Sequence, residues 1–195
     1  ARTVAFGWVF DDQMEVVHNS FVRSFRNLPL IFSSTAWAGS GMETYLYRPL
    51  TTLSFAANYL VSGLSPWSYH LGNVALHSFA AVLVFRVGRT WGLPTAAAGA
   101  GALLFAVHPV NVEVVAAVFG RKDLLVAVFT LAMVLSHRSA LDRWGWRVAL
   151  PSLSFAAALL SKEVGMVSLP LVVALDWFRS SSRQEFFRSS RRAKL

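Results

Sequence analysis

Five stretches of this chain, residues 49–85, 90–112, 124–137, 148–161 and 164–175, contain no Asp, Glu, Lys or Arg. Charged residues gather in the gaps between them. A helix needs about 20 mainly apolar residues to cross a bilayer. The first two stretches have that length outright, and the other three reach it when flanking Arg, Lys and Asp side chains extend toward the headgroups. The pattern predicts helices at about 68–87, 94–108, 123–138, 146–161 and 163–178.

Three regions depart from this rhythm. Residues 49–63 are apolar, but a crossing there would invert everything that follows, so they are expected to form a helix lying along the outer interface. Residues 13–47 have mixed polarity, with Phe21 and Phe25 four apart and Arg23 and Arg26 on other faces. That spacing suits a large outer loop carrying short amphipathic helices. Residues 1–10 are apolar but too short to cross, and they read as the end of a helix that begins earlier. The aspartates that follow, Asp11 and Asp12, do not fit a secretory cleavage site.

Composition supports lipid as the solvent. The 195 residues are 55% hydrophobic and 14% charged, with a mean hydropathy of +0.49, whereas soluble domains carry about 25% charged residues. Cysteine is absent, which excludes a disulfide scaffold, a thiolate zinc site and a cysteine nucleophile. There is no internal repeat, glycine-rich phosphate loop or zinc-protease motif, so any chemistry must use carboxylates, His, Lys or Arg. The expected fold is an all-α, polytopic transmembrane helical bundle with a large extracytoplasmic first loop carrying short interfacial helices. Residues 1–178 would form the membrane region and residues 179–195 a basic cytoplasmic tail that hugs anionic lipid or stays disordered.

Basic residues orient the bundle. One face of this topology receives Arg86, Arg89, Arg138, Arg143, Arg147, Arg179, Arg183, Arg188, Arg191, Arg192 and Lys194 against three acids; the other receives six basic residues against seven acidic ones. The positive-inside rule makes the first face cytoplasmic and places Asp11 and Asp12 outside. Six tryptophans, Trp8, Trp67, Trp91, Trp144, Trp146 and Trp177, fall near predicted helix ends, as interfacial belts require. The net charge of +8 therefore belongs to a membrane edge and not to nucleic-acid binding.

Ionisable groups beside membrane helices tend to mark sites. Each outer turn carries an acid and a basic or imidazole neighbour: Asp11 and Asp12 with His18; His108 and Glu113 with Arg121, Lys122 and Asp123; and Lys162 with Glu163. The competing reading is that such pairs only solvate turns. His70, Asn73 and His77 share one helical face and suit a hydrogen-bonded stripe better than a metal site, which more often uses i, i+4 spacing. Gly99 and Gly101, within an Ala-rich helix, suit close packing by small residues, and Gly88 and Gly92 are expected in a loop.

An ordered series of short motifs runs along nearly the whole chain: Trp8-Val9-Phe10-Asp11-Asp12; Tyr47-Arg48-Pro49-Leu50; Tyr69-His70-Leu71-Gly72-Asn73 with His77; Leu104-Phe105-Ala106-Val107-His108-Pro109-Val110 with Glu113; Gly120-Arg121-Lys122-Asp123-Leu124-Leu125; and Ser161-Lys162-Glu163-Val164-Gly165. This series resembles the membrane half of the transmembrane and tetratricopeptide-repeat-containing O-mannosyltransferases, within the C-type glycosyltransferase superfamily. The family's later membrane helices and tetratricopeptide repeats do not fall within these residues, so the stretch taken alone is expected to be inactive.

The resemblance implies transfer of a sugar, mannose in this family, from a polyprenyl-phosphate donor such as dolichyl-phosphate-mannose to a protein Ser/Thr hydroxyl on the extracytoplasmic face. It implies an integral, multi-pass protein, in the endoplasmic reticulum of a eukaryote or the inner membrane of a bacterium. Such a reaction needs a carboxylate to take the acceptor proton and cations to stabilise the leaving phosphate. The family carries its base in the acidic pair after the first helix, here Asp11 or Asp12. Arg121, Lys122 or Lys162 would stabilise phosphate, Glu113, Asp123 and Glu163 would orient cations or sugar hydroxyls, His108 would hydrogen-bond phosphate or acceptor, and Arg48 would order the outer loop. No dedicated metal is expected, although adjacent carboxylates suit a hard divalent cation. The rival readings are a small transporter, a noncatalytic bundle, or a scaffold that binds lipid-linked sugar without turning it over. Transporters, however, place ionisable groups near the midplane with internal symmetry, which this chain lacks.

Overall fold

The computed structural model describes residues 5–139 and 144–178, with side chains described at 5–137 and 148–178. The basic tail predicted at 179–195 lies outside the described residues. Helices are the only regular secondary structure among those described.

The principal helices follow the predicted runs closely because Pro, Gly and charge punctuate the sequence where backbone hydrogen bonding must stop. They are α1 (Leu28–Ser33), α2 (Pro49–Ser62), α3 (Trp67–Thr90), α4 (Thr95–Val107), α5 (Val112–Ala116), α6 (Arg121–Ser139) and α7 (Trp144–Ser161), followed by α8 over 168–178. Pro49 opens α2 and Gly63 closes it; Gly92 turns the chain between α3 and α4 with φ +84°. The long segment before α2, expected as an outer loop, holds the predicted short helices, including the turns Gln13–Val17, Ser20–Arg23 and Ala38–Ser40.

α3 is the central helix, packed against α4 and α6, while α6 pairs extensively with α7. Three apolar clusters hold this frame. Val16, Val22, Ile31, Phe55, Tyr69 and Val118 join the outer loop to α2 and α3; Ala80, Leu83 and Val128 join α3 to α6; Met133, Val134 and Val172 join α6 to α8. Each fully buried side chain of this size contributes roughly 1.5–3 kcal/mol.

The predicted polar stripe on α3 is present. His70 Nε2 meets Phe6 O at 3.1 Å, Asn73 Nδ2 donates to Ala117 O at 2.7 Å, and His77 Nε2 meets Ala106 O at 3.0 Å. All three partners are carbonyls near interruptions in the chain, where no helix supplies a donor. The interruption at His108-Pro109 has a plain cause, since Pro109 lacks the N–H that Phe105 O would accept; Asn111 Nδ2 takes its place at 2.8 Å.

Two expectations differ from the structure, and a third is met in part. Residues 6–9 carry no helix; Asp12 Oδ2 accepts from Val9 N, and Trp8 Nε1 donates to Leu64 O, holding the segment across the end of α3. Gly88 lies inside α3 and not in a loop, where a Cβ would come within 3.1 Å of Ala98 Cβ, whereas Gly99 and Gly101 face open space, so small-residue packing belongs to Gly88 and not to them. Among the described residues, α3 alone is long and apolar enough to cross a membrane, and α4 with Pro109–Ala116 reaches that length only as a pair bent by 45°. α6 falls short because Arg121, Lys122 and Asp123 occupy its first turn; the part of α7 whose side chains are described, Val148–Ser161, is apolar but shorter than a span.

Candidate functional site

One end of the bundle collects the charged turns. Immediately after the Asp pair the chain enters the Gln13–Val17 turn, in which Glu15 N donates to Asp11 O at 2.8 Å. This turn points Glu15 inward, leaving its side chain 4% exposed. Its Oε1 lies 2.7 Å from Lys122 Nζ and 3.9 Å from Arg48 Nη1. Lys122 Nζ is also 3.9 Å from Asp11 Oδ2.

Arg48, at the entrance to α2, turns its remaining nitrogens on Glu163: Nη2 to Oε1 at 2.8 Å and Nε to Oε2 at 3.1 Å. Next to Glu163, Lys162 Nζ donates to Asp123 Oδ1 at 2.6 Å. Thr51 Oγ1 fixes the end of α7 against α2 by donating to Ser161 O at 2.9 Å. Gly165 is required there, because a Cβ would fall within 2.5 Å of the Ala158 carbonyl carbon. Three turns far apart in sequence thus close one network of acids and cations.

The adjacent aspartates have different surroundings. Asp12 is fully buried, and its two oxygens accept from Val9 N at 3.0 Å and Phe119 N at 2.7 Å. Burial pushes its carboxyl above the ordinary value, while those backbone donors pull the other way. Asp11 keeps a half-exposed side chain beside Lys122. Burial likewise pushes the Glu15 carboxyl up, against the pull of Lys122 and Arg48. Glu163 is held below the ordinary carboxylate value chiefly by the Arg48 fork.

The other expected site residues lie elsewhere. Arg121 is turned away from the acids: Nε donates to Asn73 Oδ1, Nη1 to Asn58 Oδ1 at 2.8 Å, and Nη2 to Tyr69 O at 2.6 Å, with the side chain buried. Glu113 is exposed and lines a largely apolar cleft of about 280 Å³ with Phe6, Val9, Phe10 and Phe119. Lys122 Nζ lies 5.2 Å from the Phe119 ring centroid, so that cleft adjoins the charged network. His108 is exposed, and its Nδ1 accepts from Val110 N at 3.2 Å. Among the described residues, no three His, Asp or Glu side chains converge as a metal site would need.

Glu15 was not among the sequence-derived candidates. The available signal was its position: it is four residues after Asp11, and thus on the same helical face, as a lone acid before Val16 and Val17.

Neither a protein-family model nor a solved structure matches the chain. Curated proteins do. Protein O-mannosyl-transferase Tmtc1 of Drosophila melanogaster is 38% identical over 183 residues, covering 90% of this chain and 21% of that protein. Tmtc2 of the same organism is 37% identical over 195 residues, covering 94% and 21%. TMTC3 of Mus musculus is 35% identical over 179 residues, covering 88% and 19%. The chain spans about a fifth of the length of these relatives. At 35–38% identity over about nine-tenths of its own length, the chain is homologous to one stretch of the TMTC family, whose curated members carry the name protein O-mannosyl-transferase.

Proposed function

We propose that these residues form the acid and cation face of a multi-pass membrane mannosyltransferase, which moves mannose from a polyprenyl phosphate to a protein Ser/Thr hydroxyl on the extracytoplasmic side. The observation that carries this reading is the meeting of Asp11, Arg48, Lys122, Asp123, Lys162 and Glu163 at one end of the bundle. Support comes also from the relatives' names and from the apolar surface of α3 and α4, where Phe79, Val82, Leu103, Leu104 and Val107 are more than half exposed. The membrane is that of the endoplasmic reticulum in a eukaryote. A transporter would need its charges at mid-depth.

Asp11 is the base in this reading, because its carboxylate is open to an acceptor while both oxygens of Asp12 are taken by backbone. Asp11 removes the hydroxyl proton as the acceptor oxygen bonds to the sugar's anomeric carbon. The bond from that carbon to the phosphate oxygen breaks, and its electron pair leaves with the phosphate. Lys122, Lys162 and Arg48 face that developing charge, with Glu15, Asp123 and Glu163 holding them in place. Arg121 is assigned to the frame, and Glu113 and His108 to contacts with acceptor or sugar hydroxyls. The scheme routes no step through a metal. Loss of transfer in chelator, restored by a single divalent cation, would require one.

The deciding assay supplies polyprenyl-phosphate-linked radiolabelled mannose and a Ser/Thr peptide to a full-length, membrane-embedded parent that contains this stretch. Asp11→Asn is expected to lower transfer by about 10²–10⁴-fold while leaving the protein folded. Undiminished turnover in that variant rejects Asp11 as base, and donor binding without turnover in the unaltered protein favours the scaffold reading.

A further inference from the structure

Glu15 is the one acid among the described residues that meets both Lys122 and Arg48. It is buried, it arises from the turn that follows the Asp pair, and its Oε2 is enclosed without a hydrogen-bond partner. A carboxylate buried in this way is costly unless it is paired, and Glu15 is held there by its contact with Lys122. Lys122 Nζ stands 2.7 Å from Glu15 Oε1 and 3.9 Å from Asp11 Oδ2, so the two carboxylates compete for one ammonium.

We propose that Glu15 is a positioning residue that holds Lys122 off Asp11, keeping Asp11 a competent proton acceptor until the donor phosphate arrives to take Lys122. This rests on the reading of Asp11 as base. With the negative charge of Glu15 removed, the flexible lysine stem swings to the nearest remaining carboxylate, which is that of Asp11. A carboxylate paired closely with an ammonium is a weaker base. Loss of a neighbouring negative charge weakens it further, so both effects have the same sign.

The charged groups around this triad come from every packed element. Asp12 is engaged by backbone, and Arg48 is shared between Glu15 and Glu163. Lys162 is paired with Asp123. None of these is free to replace Lys122 at Asp11. Lys122 Nζ lies within 3.9 Å of both carboxylates, the buried Glu15 and the half-exposed Asp11, so a phosphate arriving beside Asp11 meets an ammonium already there.

The test is the pH dependence of kcat/KM for mannosyl transfer by the full-length, membrane-embedded parent that contains this stretch. Glu15→Gln keeps size and an acceptor oxygen but removes the charge. Its acidic limb is expected to move down by about 0.5–1 pH unit, with a lower plateau. Lys122→Gln moves the limb up, because Glu15 then stands uncompensated beside Asp11. The double variant Glu15→Gln/Lys122→Gln returns it close to the starting position. A purely structural Glu15 would change thermal stability and yield without moving the limb. If Glu15→Gln does not fold, Lys122→Gln against the double variant reads the same charge without leaving an unpaired lysine in the interior. Coincident limbs in the unaltered protein and Glu15→Gln, or in Lys122→Gln and the double variant, overturn the inference. Full activity of Asp11→Asn fails the base reading instead, so the two failures are distinguishable.

Discussion

Arg48 closes a two-pronged ion pair on Glu163 across 115 residues of sequence, with Nη2 2.8 Å from Oε1 and Nε 3.1 Å from Oε2. The fork fastens the entrance of α2 to the turn after α7, while Arg48 Nη1 faces the buried Glu15 on the other side. Replacement by lysine supplies one point charge where three nitrogens serve two acids. Arg48→Ala removes the weaker of the two cations beside the buried Glu15, which keeps Lys122, and releases the half-exposed Glu163 to solvent, so the expected loss is about 1–3 kcal/mol. Arg48→Lys should fall between Arg48→Ala and the unaltered protein. Thermal unfolding in detergent orders the three, and equal midpoints for Arg48→Lys and the unaltered protein would remove the geometric argument.

The same pair sets a pH dependence with a definite sign. The folded Glu163 carboxyl lies below its ordinary value of 4.5, chiefly through the hydrogen bonds from Arg48. Its stabilisation is therefore fully present above the unfolded value and disappears as pH falls through the lowered folded one. Asp12 acts in the opposite sense: its carboxyl is raised above 3.8 by burial, so its contribution is greatest when protonated and declines as pH rises through the folded value. Unfolding midpoints of the unaltered protein and Glu163→Gln, measured from pH 3 to 6, should differ most at the upper end and converge toward the lower. Parallel curves would mean that the fork does not form in solution.

Asp11 and Asp12 are neighbours with separate tasks, and their amide variants should fail in different ways. Asp12→Asn places an NH2 group against either Val9 N or Phe119 N, where both positions already hold donors. Leaving a buried donor unsatisfied costs about 1–3 kcal/mol. Asp12→Asn is thus expected to lower the unfolding midpoint, and Asp11→Asn to leave it unchanged while transfer is lost. A shared stability defect would contradict the division of labour.

Helix positions were legible because Pro49, Gly63, Gly92 and Pro109 interrupt apolar runs at the points where the helices stop. The joining of the charged turns followed from placing them on one side of a bilayer. The identity of each partner did not. Arg121, Lys122 and Asp123 are consecutive, and a helix turns about 100° per residue, so they fan out to three neighbours: Arg121 to Asn73, Lys122 to Glu15 and Asp123 to Lys162. Sequence identifies three charges there but not the rotation of α6 that sends the arginine inward. The spacing of Glu15 from Asp11 was readable, but its burial was not, since that depends on a partner, Lys122, 107 residues away.

Topology offers a direct measurement in a chain without cysteine. Tyr45 is fully exposed in the outer loop, and Arg89 is exposed at the far end of α3. Tyr45→Cys and Arg89→Cys are expected to react with an impermeant maleimide from opposite sides of sealed vesicles. Labelling of both from one side would place the charged network and the end of α3 in the same compartment, which a crossing α3 forbids.

Arg121 provides the sharpest test of the frame. No carboxylate meets its guanidinium among the described residues; side-chain oxygens of Asn73, Asn58 and Ser54 and the Tyr69 carbonyl satisfy it. It reaches them only because Gly72 leaves room on α3: a Cβ there would come within 2.7 Å of Nη2 and 3.2 Å of Cζ. The displaced atoms are the far end of a flexible side chain, but here that end is anchored by four acceptors, so moving it strands buried polar groups. Gly72→Ala should consequently destabilise the protein by about 1–3 kcal/mol, although alanine favours a helix by about 1 kcal/mol over glycine. Arg121→Lys should produce a loss of similar size, since a single ammonium cannot span the same acceptors. In the pair Gly72→Ala and Arg121→Lys, the combined loss should be less than the sum, because each substitution breaks the same hydrogen bonds. Strict additivity in unfolding measurements would show that the glycine and the arginine do not act together.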